Sequence, residues 1–149
     1  MRTSLLLFCL FIANICLAQK PKGYWQQEIK YQIEVDMNVE NYNYIGHQNI
    51  TSTNNSLDTL KTVYLHLYYN AFQPGSDMDT RLQSIADPDR RMITKEGKSR
   101  IASLTPEEIG FLHVYDMTQN GKKVTLNEKE TILEVTLDEP ILPNATTSL

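Results

Sequence analysis

The sequence predicts an all-β chain, built of antiparallel hairpins in a β-sandwich or saddle with one long, partly helical insertion. Three observations carry this. Tyr31, Ile33, Val35, Met37 and Val39 alternate strictly with Gln32, Glu34, Asp36 and Asn38, the period of a strand with one apolar and one wet face. VYLHLYYN at 63–70 puts Val63, Leu65, Leu67 and Tyr69 on one face and Tyr64, His66 and Tyr68 on the other. Asn120-Gly121 is the strongest two-residue hairpin signal, set between runs of strand-forming residues.

The elements follow in order. Residues 1–18, MRTSLLLFCLFIANICLA, have one cation at Arg2, an apolar stretch from Leu5 to Ile15 and a small residue, Ala18, at the end. That order is a secretory signal peptide. A retained anchor is the competing reading, but the run is interrupted by Asn14 and is shorter than the ~20 residues of a membrane span. Neither Cys9 nor Cys16 follows the small residue a lipoprotein site needs. Removing this segment leaves one β domain, 19–149, of about 130 residues. It also removes both cysteines, so no disulfide is available to the exported chain. Loss of Arg2 takes the net charge from −4 to about −5, which leaves no clustered positive excess for nucleic acid.

The Tyr31–Val39 strand runs into ENYNYIG, where Asn41, Asn43 and Gly46 supply turn chemistry. HQNITSTNN then forms a second strand, and the two pair as an antiparallel hairpin. Residues 70–110 break the strand pattern for too long to be pure loop. Ser76-x-x-Asp79 starts a short helix with Met78, Leu82 and Ile85 on one side, ended by Asp87-Pro88. Thr105-Pro106-Glu107-Glu108 is a capping box closed by Gly110. Strands resume in FLHVYDM, KKVTLNE and TILEVTLDEPIL. Pro140 and Pro143 bracket the last of these, as at an edge or a change of sheet. The chain then stops at NATTSL as though the domain continued.

The groups that could carry chemistry are few. His47, His66 and His113 all fall in strands, with none of the i, i+4 pairing that places two imidazoles on a helix face. His66 lies opposite three aliphatic neighbours, a position that meets solvent or an overlying element, and no ligand partner is nearby. Asp77, Asp79, Asp87 and Asp89 offer carboxylate oxygens to calcium but lack the ordered spacing of a calcium loop. A helix N-terminus followed by an Asp-Pro turn is the favoured reading of them. Tyr31, Tyr42, Tyr44, Tyr64, Tyr68 and Tyr69 read either as a stacking face for carbohydrate or protein, or as the amphipathic cover of a sheet edge. Asn49-Ile-Thr51, Asn54-Asn-Ser56 and Asn144-Ala-Thr146 match the glycosylation acceptor pattern. No nucleophile elbow, catalytic cysteine or phosphate-cradling loop occurs. No catalytic or metal residue is assigned, and substrate-binding residues are left unassigned.

YQIEVDMNVENYNYIGHQNITSTNNS followed by LKTVYLHLYYNAFQPGS resembles the opening of zinc metallopeptidases of the aminopeptidase N family (gluzincins). The shared features are a Y-x-I-x-V strand, the hairpin residues Tyr44, Gly46, Ile50 and Asn54, and a V-x-L-H-L-like strand. SRIASLTPEEIGF and TILEVTLDEPILP are similar to a secreted bacterial branch. The resemblance spans about 26–149 and implies the N-terminal, saddle-like β domain of such a peptidase, C-terminally truncated. It implies a parent that removes N-terminal residues from peptides with zinc held by H-E-x-x-H and a downstream glutamate. Those positions, and the residue some members send to the substrate's amino group, have no counterpart here. The resemblance therefore implies an inactive, cleft-forming piece whose partner is the missing intramolecular catalytic domain, with zinc in that domain only. Peptides are the parent's substrates, and the protein is periplasmic, surface-associated or extracellular, with no membrane span once the signal is removed. A freestanding secreted β-sandwich that binds a ligand is the competing reading.

Overall fold

In the computed structural model, residues 23–86 and 88–149 are described. Residues 1–18 (read above as a signal peptide), both cysteines and Asp87 lie outside the described residues. Among the described residues, eight strands make three antiparallel sheets: β1 (Glu28–Asn38), β2 (Asn43–Thr53), β3 (Leu60–His66), β4 (Thr118–Gln119), β5 (Lys122–Lys123), β6 (Thr125–Lys129), β7 (Ile132–Ile141) and β8 (Thr146–Ser148). The first sheet has the order β1-β2-β8, the second β3-β7-β6, and β4-β5 is a separate hairpin. One short helix, α1 (Asp77–Ser84), stands among them. The all-β reading is borne out.

The β1–β2 hairpin forms as the alternation requires, with Ile33 opposite Gln48 and Met37 opposite Tyr44. Its turn is Val39–Tyr42 rather than a loop reaching Gly46, because Asn38 and Asn41 side chains accept from Glu40, Asn41 and Asn43 N–H groups and close it early. β1 was expected to be half-buried, yet it is exposed along its whole length. Alternation dictates which face is apolar, not whether anything covers it.

The core lies in the second sheet. Leu133 and Val135 on β7 are fully buried with Leu67, and Val63, Leu65, Leu126, Leu112, Val114 and Met117 pack against them. β7 is the central strand, so the prolines do not mark an edge; they mark the change of sheet, since the chain passes from Ile141 to β8 on β2. Tyr69, expected beside Leu67, is exposed instead. The period of two stops at Leu67, and Tyr68–Phe72 winds into a 3-10 turn.

FLHVYDM alternates as expected, with Leu112 and Val114 inward, but joins no strand ladder. Side chains take the place of a neighbouring strand. The Asn70 amide accepts from Leu112 N–H (2.8 Å) and donates to Leu112 C=O (3.0 Å), and Glu128 accepts from Val114 N–H (2.9 Å). Asn120 and Gly121 both adopt positive φ, 50° and 85°, which fits a type I′ hairpin turn joining β4 to β5.

Two polar residues join the sheets. Asn54 is completely buried: its Nδ2 donates to Asp58 C=O (2.7 Å) and Ile141 C=O (3.0 Å), and its Oδ1 accepts from Ser56 and Gln27. Gln119 donates from Nε2 to Glu139 C=O and Thr147 Oγ1 while its Oε1 accepts from Glu139 N–H. No buried side-chain nitrogen or oxygen among the described residues lacks a partner, as a stable interior demands.

The insertion is partly helical, as expected. Ser76 caps α1 by accepting from Asp79 N–H. Of the expected apolar side only Leu82 is buried, whereas Met78 and Ile85 remain about a third exposed. Extended backbone at Ile85 ends the helix, ahead of Pro88. In the capping box Glu108 accepts from Thr105 N–H, and the segment forms a single turn.

Asp79 holds the insertion together. Burial alone pushes its carboxyl up, but bonds from Gly75 N–H (2.9 Å), Ser99 Oγ (2.5 Å) and Gln83 Nε2 (2.9 Å) outweigh it and hold the group below the usual aspartate range. Because the folded value is the lower one, this stabilisation is complete above the unfolded carboxylate's pKa of ~3.9. It is lost as the pH falls through the folded value. Asp79→Asn is therefore expected to lower the melting temperature clearly at pH 6 and much less at pH 3. A gap that stays constant or widens in acid contradicts this role.

Candidate functional site

Residues opposed across an antiparallel ladder share a face. Ile29, Tyr31, Ile33, Val35 and Met37 on β1 thus lie with Ser52, Ile50, Gln48, Gly46 and Tyr44 on β2. Thr147 on β8 completes the row at Ser52. Ile50, Ser52 and Thr147 are buried, and Gln119 of the β4–β5 hairpin bonds Thr147. Toward β1 the same face is bare: Tyr31, Ile33, Val35 and Met37 are 54–62% exposed. Among the described residues this face is covered at one corner only. A run of exposed apolar side chains of this kind marks an interaction surface.

The three histidines are not brought together. His47 is exposed on β2, opposite Glu34 on the polar face. His66 is exposed on the outer face of β3 and stacks on Tyr68, with ring centroids 4.9 Å apart and 15° between planes. The structure thus places it where the alternation expects. His113 Nδ1 lies 2.9 Å from the Glu128 carboxylate, and its ring meets Tyr115 edge-on at 4.7 Å.

His113 and Glu128 line an open cleft of about 390 Å³ with Asn70, Gln73, Phe111 and Glu130. Burial pushes the Glu128 carboxyl up, but bonds from Val114 N–H and His113 hold it below the usual range. Glu128 is thereby committed to fixing the 111–117 segment. The wall carries no hydroxyl or thiol; its polar groups are the Asn70 and Gln73 amides, the His113 imidazole and the Glu128 and Glu130 carboxylates.

Two of the aspartates offered for calcium, Asp79 and Asp89, are separately engaged. Asp79's oxygens take donors from Gly75, Ser99 and Gln83, Asp77 sits in the first turn of α1, and Asp87 lies outside the described residues. Arg91 pairs with Asp89 through Nε and Nη2 and holds its carboxyl down to about 2. Among the described residues no group of three or more His, Cys, Asp or Glu side chains is placed to hold a metal ion.

The tyrosines divide between surfaces. Tyr31 and Tyr44 lie on the uncovered face of the first sheet, Tyr42 is in its turn, Tyr64 is exposed on β3, and Tyr68 and Tyr69 are exposed in the 3-10 turn that follows it. Of the glycosylation patterns, Asn49 and Asn144 are exposed, whereas Asn54 is buried with its amide fully bonded. No described helix is long and apolar enough to cross a membrane.

Gln119 and the His113–Glu128 pair carry no local sequence signal, since their partners lie 15 to 28 residues away, and the contact that buries Asn54 against Ile141 spans 87. No family model, curated protein or solved structure matches the chain.

Proposed function

We propose that this chain is the N-terminal β domain of an exported zinc aminopeptidase of the aminopeptidase N type. In this reading it serves as a scaffold and cleft wall and supplies no catalytic residue. The observation that carries the reading is the inner face of the first sheet, covered at Thr147 and bare across β1. Such a face suits a permanent neighbour rather than water. The order of the motifs, from the Tyr31–Val39 strand through the hairpin to the VYLHL strand, supports it. Residues 1–18 would direct export to the periplasm, the cell surface or the medium. The described residues do not fit zinc, so no step through the metal belongs to them; zinc and the attacking water would belong to the catalytic domain of the parent.

The test is to recover the native protein with antibodies against this chain from cell-envelope and medium fractions. Its mass, zinc content and chelator-sensitive release of N-terminal residues from short peptides are then measured. A polypeptide several times heavier, holding zinc and active, is the expected result. A zinc-free, inactive product with a mass near that of residues 19–149 would falsify the reading and favour a freestanding binding module.

A further inference from the structure

The face of β1 and its edge are different surfaces, and the edge points to a partner of its own. No strand among the described residues pairs the outer edge of β1, an eleven-residue strand that ends the first sheet. A long, exposed edge is a ready template for another strand. The residues of β1 itself point to what that strand is.

We infer that β1 pairs antiparallel with β1 of a second copy about a two-fold axis at Ile33, joining two three-stranded sheets into one of six strands. In this register Glu28 meets the second copy's Asn38, and all eleven residues of each strand overlap. Ile29 meets Met37, Tyr31 meets Val35, and Ile33 meets itself, so both apolar faces fall on the same side. On the polar side Lys30 meets Asp36 twice, Gln32 meets Glu34 twice, and no like charges stand directly opposite. The neighbouring registers are worse. Centring on Gln32 opposes Glu28 to Asp36, centring on Glu34 opposes that carboxylate to itself, and a slip of one residue turns apolar side chains onto the polar face. In the single chain Lys30 Nζ contacts Glu28 at 3.2 Å, both side chains being well exposed. That local contact yields readily to a cross-strand pair. The pairing leaves the inner face of each sheet free for the neighbour proposed above, so the two readings fail independently.

The test is sedimentation equilibrium of the protein and of two single variants, Lys30→Asp and Asp36→Lys. The parent protein is expected to dimerise reversibly. Each variant alone places two like-charge pairs in the interface and is expected to weaken dimerisation about tenfold or more. When the two variants are mixed, every such position again holds opposite charges, and a heterodimer of parental strength is expected. A parent that stays monomeric up to its solubility limit overturns the proposal. So does a dimer indifferent to both variants, or one in which mixing restores nothing. Thermal unfolding of each variant close to the parent's shows that a lost dimer is not a lost fold, since both positions are exposed.

Discussion

Asn54→Ala is expected to cost about 3 kcal/mol or more of unfolding free energy, a large share of the 5–15 kcal/mol a domain of ordinary stability has. The amide of this completely buried side chain donates to the carbonyls of Asp58 and Ile141 and accepts from Ser56 N–H, Ser56 Oγ and Gln27 Nε2. Truncation removes one side chain but leaves several polar partners without a bond, and each such buried group costs roughly 1–3 kcal/mol before relaxation. Because Ile141 is where β7 turns toward β8, the loss also loosens the passage between the two sheets. Urea denaturation with an unchanged slope but a lower midpoint would support this account. A loss below about 1 kcal/mol would show that water takes over the orphaned bonds.

Leu133→Ala is expected to cost about 3 kcal/mol, within the ~2–5 kcal/mol range of buried leucine truncations. Leu133 is wholly buried at the centre of β7 and packs with Leu67 and Val135. Strands on both sides hold its backbone, with Leu65 opposite on β3 and Glu128 opposite on β6. The site therefore has little freedom to collapse into the void. Leu133→Met keeps most of the volume and is expected to cost under ~1.5 kcal/mol. Equal costs for the two substitutions would show that shape, rather than the cavity, sets the penalty.

The strands were legible because period two is a local property. Tyr31–Val39, the hairpin that follows it and the Asn120-Gly121 turn were all read from residues close in sequence. Several features were not legible, for reasons that differ from one to the next. Alternation in β1 identifies an apolar face but cannot reveal that, among the described residues, only the Thr147 corner of its sheet is covered. Phe111–Met117 has a strand's alternation, yet its ladder partners are side chains, Asn70 and Glu128, whose positions depend on tertiary contacts. Tyr69 left the expected face because a 3-10 turn ended the period at Leu67. Asn54 reads in sequence as part of a polar turn; its burial depends on Ile141, 87 residues on. For the candidate site, the exposed His66 was foreseen, whereas the His113–Glu128 cleft required two segments 15 residues apart to meet.

The pairing of β2 with β8 has a consequence for biosynthesis. Thr51 finds its partner only at Ser148, almost a hundred residues later, so at translation rates of ~5–20 residues per second the β1–β2 hairpin waits roughly 5–20 s for its third strand. Throughout that interval both edges of a two-stranded ribbon are unpaired, and such a ribbon is marginally stable in water. Residues Thr146–Ser148 are therefore the ones that close the first sheet. During the wait, the nascent hairpin is a substrate for any holdase that recognises an extended, apolar segment.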